Sequence, residues 1–479
     1  MERNIPGSPS GDGERKPPAP RPRRPRAHEL DMVSGPLFPG VFAFALPVIL
    51  TGLLSLFYNA ADLVVLGNFA KNGDHAISAV GCTGSLINLL IGLFLGLSVG
   101  SSVTIAIALG ARDEREASAL THTAIAVSAI LGVAGGAIGF AFAPTFLSWM
   151  NCPADLIGDA SLYLRIYFLG TPANMVYNFG AAILRTCGDA RRPLFILGGA
   201  GLVNVGLNLT FVLGFSMSVE GVGIATIVSQ YLSAVAALYF LTRLPNACRL
   251  SMKRLALHKN QLFRILRHGV PAGIQSSLFS FSNVLIQSTI NSFGSVVIAG
   301  STAAANLEGF GWTAINAPDT ASMAFVGQNY GAKNLRRIPR AVLVCLCYVL
   351  IFWLAVDGAI LLFREPLVKL YLPDSPDAAQ EAFSRMTLVV GTYFICGFMG
   401  VLSSAIRGMG ASLLPTLVSI GGICGIRVLW IAFVVPHSPS LRTLMTSYPV
   451  SWTVTLIVDL VILIVLFKKR KREVDPPPA

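Results

Sequence analysis

The sequence predicts an all-α integral membrane protein, with twelve transmembrane helices in two pseudo-symmetric six-helix bundles. Three features predict it: an apolar composition, regularly spaced long apolar segments and an internal repeat. Of 479 residues, 53% are hydrophobic and only 13% are charged. A soluble chain could not bury so much apolar surface, so lipid must cover part of it. The alternating pattern of barrel strands is absent, which disfavours a β-barrel.

The apolar segments predict the individual helices, because a helix needs about 20 apolar residues to cross the hydrocarbon layer. The predicted spans are 37–66, 76–109, 118–146, 158–184, 191–214, 221–242, 262–292, 296–329, 337–363, 378–406, 413–435 and 449–467. Pro47 and Pro271 lie inside the first and seventh spans, and each removes a backbone hydrogen bond, so we expect a hinge in both. Gly92, Gly96 and Gly100 share one face of span 2 and predict close helix packing there.

The two halves of the chain repeat each other at an offset of roughly 222 to 224 residues. The matching pairs include Pro47 and Pro271, Asn59 and Asn283, Gly188 and Gly410, and Arg185 and Arg407. Such duplication is typical of transporters in which two similar lobes face each other across a central cavity. We therefore predict an N-lobe at 37–243 and a C-lobe at 262–467, joined by a basic, polar cytoplasmic linker at 244–261.

The net charge of +12 is unevenly distributed along the chain. When the N-terminus is assigned to the cytoplasm, only Lys71, Arg364, Lys369 and Arg442 fall in outside loops, whereas most other Lys and Arg residues fall inside. This bias predicts a multi-pass membrane protein with both termini cytoplasmic. It also explains the basic charge without a nucleic-acid partner.

Both ends of the chain are polar and basic. Residues 1–36 are rich in Pro, Arg, Gly and Ser and contain no apolar core. They therefore predict a disordered cytoplasmic tail, not a cleaved signal peptide. Residues 468–479 begin with a run of Lys and Arg, which predicts a second cytoplasmic tail that anchors the last helix at an anionic membrane surface.

The sequence contains no motif typical of an enzyme. No Gly-Lys dipeptide occurs, so there is no Walker A sequence, and no spacing fits a catalytic or metal site. The eight cysteines form no disulfide or zinc pattern. We therefore expect no enzymatic activity and no cofactor, and we expect transport to draw on an ion gradient or the membrane potential.

Polar residues inside the spans are the candidates for function, because they are costly in lipid. Asp62 shares a helical face with Tyr58 and Asn59, and Asn204 shares one with Asn208 in span 5. A carboxylate opposite amide oxygens could bind Na⁺, or could carry a proton because burial favours its neutral form. The alternatives are that Asp62 is a solvated acid at a helix end and that the asparagines only hold helices together.

The repeat assigns ion coupling chiefly to the N-lobe, because Asp62 aligns with Ile286 whereas Asn59 aligns with Asn283. The candidates for a cavity that receives the substrate are Tyr58, Asn178, Gln275, Asn283, Glu308 and Asp319.

The remaining charged residues of the spans are weaker candidates for a functional role. Asp357 and Asp459 complete the set of intramembrane acids, and Arg427 could pair with one acid of the set. Arg185 and Arg407 lie at helix ends, where we expect them to set topology and loop packing without contacting substrate.

The motifs resemble the multidrug and toxic compound extrusion (MATE) family, in its DinF-like branch. The resemblance covers nearly everything between 37 and 467 and rests on Leu46-Pro47, Tyr58-Asn59-Ala60-Ala61-Asp62, Ala79-Val80-Gly81, Leu184-Arg185-x-x-Gly188-Asp189-x-Arg191-x-Pro193, Asn204 and Gly221-x-x-Ile224-Ala225-Thr226-x-x-Ser229-Gln230. It implies a V-shaped pair of six-helix bundles in the bacterial plasma (inner) membrane that exports cationic or amphipathic compounds in exchange for H⁺ or Na⁺.

The same resemblance implies roles for individual residues. The acid of the first helix matches Asp62, and a polar cluster of the DinF-like branch includes the positions of Asn204, Asn208 and Thr226. Bending at Pro47 is implied to close the cavity. Many relatives carry an acid where this chain has Asn208, and one fewer negative charge favours H⁺ over Na⁺ at this site.

Three classes of transporter remain compatible with the sequence. A multidrug or organic cation antiporter fits a wide cavity with apolar walls. A flippase for lipid-linked or polysaccharide precursors would need several cationic residues in the cavity, and the sequence predicts few, chiefly Arg427. A major-facilitator carrier would need a fuller loop motif than Gly110-Ala111-Arg112-Asp113-Glu114-Arg115.

We therefore predict an antiporter for xenobiotics, with small cationic or amphipathic substrates and membrane lipids as its partners. The sequence does not indicate the oligomeric state, and a monomer is the starting assumption.

Overall fold

The structure is a computed structural model that describes residues 30–69, 73–150, 152–373 and 375–474, and within these ranges its regular elements are helices. The long helices, in chain order, are α1 (Leu37–Phe69), α2 (Gly73–Gly110), α3 (Glu114–Trp149), α4 (Ile157–Thr186), α5 (Arg191–Gly214), α6 (Val219–Thr242), α7 (Lys259–Asn291), α8 (Ser295–Gly331), α9 (Leu335–Leu362), α10 (Pro376–Gly408), α11 (Leu413–His437) and α12 (Leu441–Val474). A short helix, Arg364–Tyr371, lies between α9 and α10.

Nine helices of the described residues are long and apolar enough to cross a membrane, namely those within α1 to α3, α5, α6 and α9 to α12. The other three, α4, α7 and α8, have 30, 33 and 37 residues and carry more polar side chains. The prediction of an all-α integral membrane protein is confirmed.

Several helices run through an internal proline. The last predicted span begins at residue 449, whereas α12 begins at Leu441 and continues through Pro449. The flanking residues Met445 and Trp452 are 0% and 3% exposed, so packing on both sides of the proline holds the helix together.

Pro47 and Pro271 likewise lie inside unbroken helices, α1 and α7. The Thr51 hydroxyl donates to the Pro47 carbonyl at 2.7 Å, which adds a side-chain hydrogen bond at the weakened turn. The hinge role of both prolines stays a prediction.

The sequence repeat has a counterpart in the backbone. Arg112 follows α2 with a φ of 57°, and Lys333 follows α8 with a φ of 55°. Gly188 follows α4 with a φ of +89°, and Gly410 follows α10 with a φ of +79°. The helices therefore end in the same left-handed turns at equivalent positions of the two lobes, which we take as α1 to α6 and α7 to α12.

The two lobes meet closely along α2 and α7. A methyl group added to Gly96 would collide with the backbone of Gly273, and one added to Gly100 would collide with Gly269 and Ile265. The glycine face predicted in span 2 therefore packs against α7 with almost no side chain between the two backbones.

Residues 30–36 form an N-terminal strap that contacts both lobes. The Leu30 amide donates to the Gly188 carbonyl after α4 at 3.3 Å. The Asn329 amide group in α8 donates to the Met32 carbonyl at 2.9 Å, and the Met32 side chain is 1% exposed. The strap therefore lies across the C-terminal ends of α4 and α8.

The predicted tails differ from the structure in extent. The strap is ordered and packed, so the disordered tail predicted over 1–36 is too long, and residues 1–29 lie outside the described residues. At the other end α12 continues to Val474, so part of the predicted tail 468–479 is helical and the rest lies outside the described residues.

The linker predicted at 244–261 packs onto the N-lobe. Leu244 and Leu250 are 1% and 2% exposed and join the apolar core formed by α2 to α6. The Ser251 amide donates to Nε2 of His122 in α3 at 3.0 Å. Two buried leucines and one hydrogen bond therefore attach this largely polar segment to the N-lobe.

We expect Gly96→Val to lower the stability of the folded protein. The added side chain has no room against the Gly273 backbone, and overpacking of this kind costs about 1–3 kcal/mol. Thermal unfolding in detergent measures the effect. Gly81→Val is the matched control, because nothing lies within 4 Å of a methyl group at Gly81. Equal melting temperatures for the two variants would contradict the prediction.

Candidate functional site

A polar cluster joins α1 to α5 in the N-lobe. Nδ2 of Asn208 donates to Oδ1 of Asp62 at 2.5 Å and lies 3.3 Å from Oδ1 of Asn204. Asn208 is 0% exposed, Asn204 is 5% exposed and Asp62 is half-buried. The sequence places the acid on one helical face and the asparagines on another, and the structure brings these faces together.

The cluster contains polar groups without a full set of partners. Asp62 forms no ion pair within the part of the chain that the structure describes. Oδ1 of Asn208 is buried and accepts no hydrogen bond from the described residues. A buried polar atom without a partner is costly, so the cluster has unused capacity to bind an ion.

The other predicted members of this site lie differently. The Tyr58 hydroxyl donates to the Gly198 carbonyl at 3.0 Å, so this side chain bridges α1 and α5. Asn59 is exposed, and the Thr226 hydroxyl donates to a carbonyl of its own helix at 2.9 Å. No hydrogen bond in the described structure links Asn59 or Thr226 to Asp62, and their role in ion coupling stays a prediction.

A cavity of about 880 Å³ lies between the lobes. Residues of α1, α2, α4, α7, α8, α10, α11 and α12 line it, so the C-lobe contributes most of the wall. Gln275, Asn283, Glu308 and Asp319, all predicted from the sequence, are among the lining residues.

Tyr58 and Asn178 are not among the residues that line this cavity, and their place in a substrate site stays a prediction. Tyr58 is held at the contact between α1 and α5. The Asn178 side chain donates to the carbonyl and to Oδ1 of Asn174, one turn earlier on α4, at 2.9 and 2.7 Å. Its amide is therefore directed back along its own helix.

Glu308 forms a bidentate ion pair that the sequence analysis missed. Nε and an Nη of Arg385 lie 2.7 Å from the two carboxylate oxygens, and the other Nη lies 2.5 Å from the Ser301 hydroxyl. Glu308 and Arg385 are 6% and 7% exposed. This planar pairing fixes both side chains and neutralises both charges at the cavity wall.

Arg407 also contributes to the wall. It donates to Oε1 of Gln275 at 2.6 Å, and the Thr416 hydroxyl donates to the same oxygen at 3.2 Å. Arg185, its partner in the repeat, lines the cavity as well. The final turns of α4 and α10 therefore lie beside the cavity, whereas the prediction that these arginines set topology and loop packing rather than contact substrate stays a prediction.

Arg427 lies in α11 and pairs with no acid of the described residues, which corrects the expectation that it does. Its guanidinium donates to Oδ1 of Asn283 at 3.4 Å and lies 3.9 Å from the ring centroid of Tyr448. The residue is 3% exposed and lines the cavity, and its Nε has no hydrogen-bond partner among the described residues.

Of the remaining intramembrane acids, Asp357 and Asp459 are buried and Asp319 is half-buried. Asp319 lines the cavity, and Asp459, which is 0% exposed, accepts a hydrogen bond from the Ser403 hydroxyl. Asp357 is 0% exposed, and neither of its oxygens has a partner within the described structure. A methyl group at Gly311 would collide with the Asp357 carboxyl group, so this acid packs directly against the α8 backbone.

The charge of the cavity therefore differs from the prediction of few cationic residues. Arg185, Arg385, Arg407 and Arg427 line it, against the acids Glu308 and Asp319. Counts of Lys and Arg by topological segment do not reveal which arginines at helix ends point toward an interior cavity.

Two pseudo-symmetric lobes of membrane helices, with a shared cavity and polar groups within the membrane-spanning region, define a membrane transporter. The MatE family model matches the chain twice, over residues 47–210 and 271–432. The chain belongs to this family. The two matched segments occupy equivalent positions of the sequence repeat, whereas the assignment to the DinF-like branch stays a prediction.

Individual relatives and solved structures are similar over most of the chain. The probable multidrug resistance protein YoeA of Bacillus subtilis is 25% identical over 86% of this chain and 90% of its own length. The multidrug export protein MepA of Staphylococcus aureus is 22% identical over 80% of this chain and 85% of its own. A crystal structure of a MATE protein in the bent conformation has a TM-score of 0.85, with 21% identity over 92% of this chain and 98% of that chain.

We expect Glu308→Gln to destabilise the protein, because it leaves the Arg385 guanidinium buried without its counter-charge. Breaking one partner of a buried pair costs about 3–5 kcal/mol. Thermal unfolding in detergent measures the loss. The control is Glu308→Leu combined with Arg385→Met, which removes both charges and should recover much of the stability. A double variant no more stable than the single one would contradict this account of the pair.

Proposed function

We propose that the chain is an antiporter that exports amphipathic compounds by alternating access, in exchange for a cation bound at Asp62. The observation that carries the proposal is the contact between Asp62 and Asn208, in which a carboxylate has an amide partner and, among the residues that the structure describes, no ion-pair partner. A carboxylate of a purely structural pair would instead be neutralised by the protein, as Glu308 is. Membership of the MatE family supports transport as the activity.

The helix α1 connects the proposed ion site to the cavity. Asp62 lies toward its C-terminal end and Phe44, which lines the cavity, lies about 27 Å earlier along the same helix. Between them, a methyl group at Gly52 would collide with Thr313 of the C-lobe, and Phe57 lies 6.3 Å from Phe310. A change in the charge of Asp62 would alter the packing of α1 on α5. Because α1 also borders the cavity and contacts the C-lobe, its movement would change both the cavity wall and the contact between the lobes.

The proposed coupling ion is H⁺. Na⁺ at Asp62, Asn204 and Asn208 would need several oxygens directed at one point, whereas Asn208 turns its Nδ2 toward both neighbours. The arrangement of these side chains is therefore poorly suited to bind Na⁺. It is better suited to a proton that binds to and leaves the Asp62 carboxylate.

The distribution of charge bears on the orientation of the protein in the membrane and on its substrate. The excess of Lys and Arg in alternate loops supports a plasma-membrane protein with both termini in the cytoplasm. The sequence favours cationic or amphipathic cargo, but four arginines in the cavity wall disfavour a cation. The same arginines favour a second candidate, a flippase for anionic lipid-linked precursors on the same architecture.

We expect Asp62→Asn to abolish export driven by an ion gradient while the protein still folds and inserts. The amide keeps the shape of the side chain and a hydrogen bond to Asn208 but cannot exchange a proton. Efflux of amphipathic dyes from proteoliposomes with an imposed gradient measures the effect. Asp159→Asn is the control, because that carboxylate is 49% exposed and faces His75. Export at the parental rate by Asp62→Asn would refute the assignment.

We expect Asn208→Asp to make export depend on Na⁺. The change sets a second carboxylate at hydrogen-bond distance from Asp62, and two adjacent negative groups need a bound cation or a shared proton. Proteoliposomes with separately imposed pH and Na⁺ gradients distinguish the cases. The parental protein should respond to the pH gradient alone, and the variant should gain a response to Na⁺. A parental response to Na⁺ alone would contradict proton coupling.

A further inference from the structure

We propose that the central cavity binds the acidic group of an amphipathic anion, a carboxylate or a phosphate, with Arg427 as its main cationic contact. The inference rests on the proposed transport function, because it names the substrate class of the cavity between the lobes. It departs from the cationic cargo that the sequence favours.

The first argument is the state of Arg427. Its guanidinium is buried, has no carboxylate partner in the described chain and keeps an Nε without a hydrogen bond. Burial of an unpaired charge is costly, whereas a guanidinium that already faces a cavity can be neutralised by a ligand. An oxyanion supplies both the charge and the acceptor that Arg427 lacks.

The second argument is how Arg427 is held. Oδ1 of Asn283 on α7 accepts its hydrogen bond, and the ring of Tyr448 on α12 lies under its guanidinium plane at 3.9 Å. Two neutral groups thus fix the position of the side chain without neutralising it. This is preorganisation of a charged donor, since the protein orients the guanidinium and leaves the charge for a ligand.

The third argument is the arrangement along α7. Gln275 holds Arg407, and Asn283, eight residues later, holds Arg427. Eight residues are about two helical turns, so these side chains lie on one face of α7 and roughly 12 Å apart along it. The cavity wall therefore presents two guanidinium groups at different depths, each positioned by an amide of the same helix.

Arg407 and Arg427 differ in how far nearby acids of the protein compensate their charge. Asp319 and Asp459 lie near enough to Arg407 to interact with it electrostatically, so part of its charge is compensated by the protein. Glu308 neutralises Arg385. Within the described structure, Arg427 is the lining arginine that is both deeply buried and without an acid in ion-pair contact.

The apolar lining and the volume of the cavity indicate that the ligand also has an apolar body. Beside the arginines, the wall carries large apolar and aromatic side chains, including Phe44, Leu95, Phe279, Trp312, Met323 and Trp452. A volume of about 880 Å³ is at the upper end of the range for small-molecule sites. An acidic head on an apolar body matches both parts of this wall.

The test is a binding measurement with two probes that share a tail and differ in head charge. Dansyl-labelled undecanoate and its dansyl-labelled trimethylammonium counterpart are titrated into the full-length protein in nanodiscs, without any gradient. We expect the parental protein to bind the carboxylate more tightly. Arg427→Gln should weaken carboxylate binding by about tenfold or more and leave ammonium binding unchanged or tighter.

Two further variants make the result specific. Arg165→Gln is the matched control, because Arg165 lies in a membrane helix, is exposed and packs over Phe140 away from the cavity; it should bind both probes as the parent does. Arg427→Lys keeps the charge and loses the planar fork, so it should retain carboxylate binding better than the glutamine variant. Tighter binding of the ammonium probe by the parent, or unchanged carboxylate binding by Arg427→Gln, overturns the proposal.

Competition then distinguishes the two chemical sources of the acidic group. Half-displacement of the carboxylate probe at a lower concentration of dodecanoate than of lysophosphatidate identifies a carboxylic acid, and the reverse order identifies a lipid phosphate. Both are expected results, whereas displacement by neither overturns the proposal. Because no gradient is used, Asp62→Asn should still bind the probe, so failure of anion binding is separated from failure of ion-coupled export.

Discussion

The close packing of α2 on α7 is the constraint on which the rest of the structure depends. Gly96 and Gly273 let the two backbones approach with almost no side chain between them. In lipid, where no hydrophobic effect drives helices together, such van der Waals contact is a main source of helix association. It sets the distance between the lobes and so the width of the cavity that opens beside it.

Each lobe contains a buried or half-buried charged side chain that lacks an ion-pair partner among the described residues. The N-lobe holds such an acid and the C-lobe such an arginine. The N-lobe keeps an acid, Asp62, with an amide as its partner and no ion pair to any described residue. The C-lobe neutralises Glu308 with Arg385 but leaves Arg427 on neutral partners. A protein in lipid satisfies most buried polar groups internally, so the groups left incomplete on each side are those available to ligands.

Much of this architecture is visible in the sequence because the hydropathy pattern and the repeat are local signals. The helix positions and the glycine face on α2 depend on periodicity along single helices, whereas the grouping of Asp62 with Asn208 is expected from the family resemblance. The pairing of Glu308 with Arg385 depends on how α8 and α10 pack, which periodicity does not fix. The same holds for Arg407, whose position at a helix end conceals that this end faces the cavity.

The N-terminal strap has a mechanical consequence. Leu30 is bonded to the turn after α4, and Met32 is bonded to Asn329 near the end of α8. Any rearrangement that draws these two helix ends apart must release at least one of the two attachments, and release of the Met32 attachment would free its buried side chain. The segment therefore acts as a latch whose rupture adds to the energy of opening the molecule on that side, although it contributes no residue to the cavity.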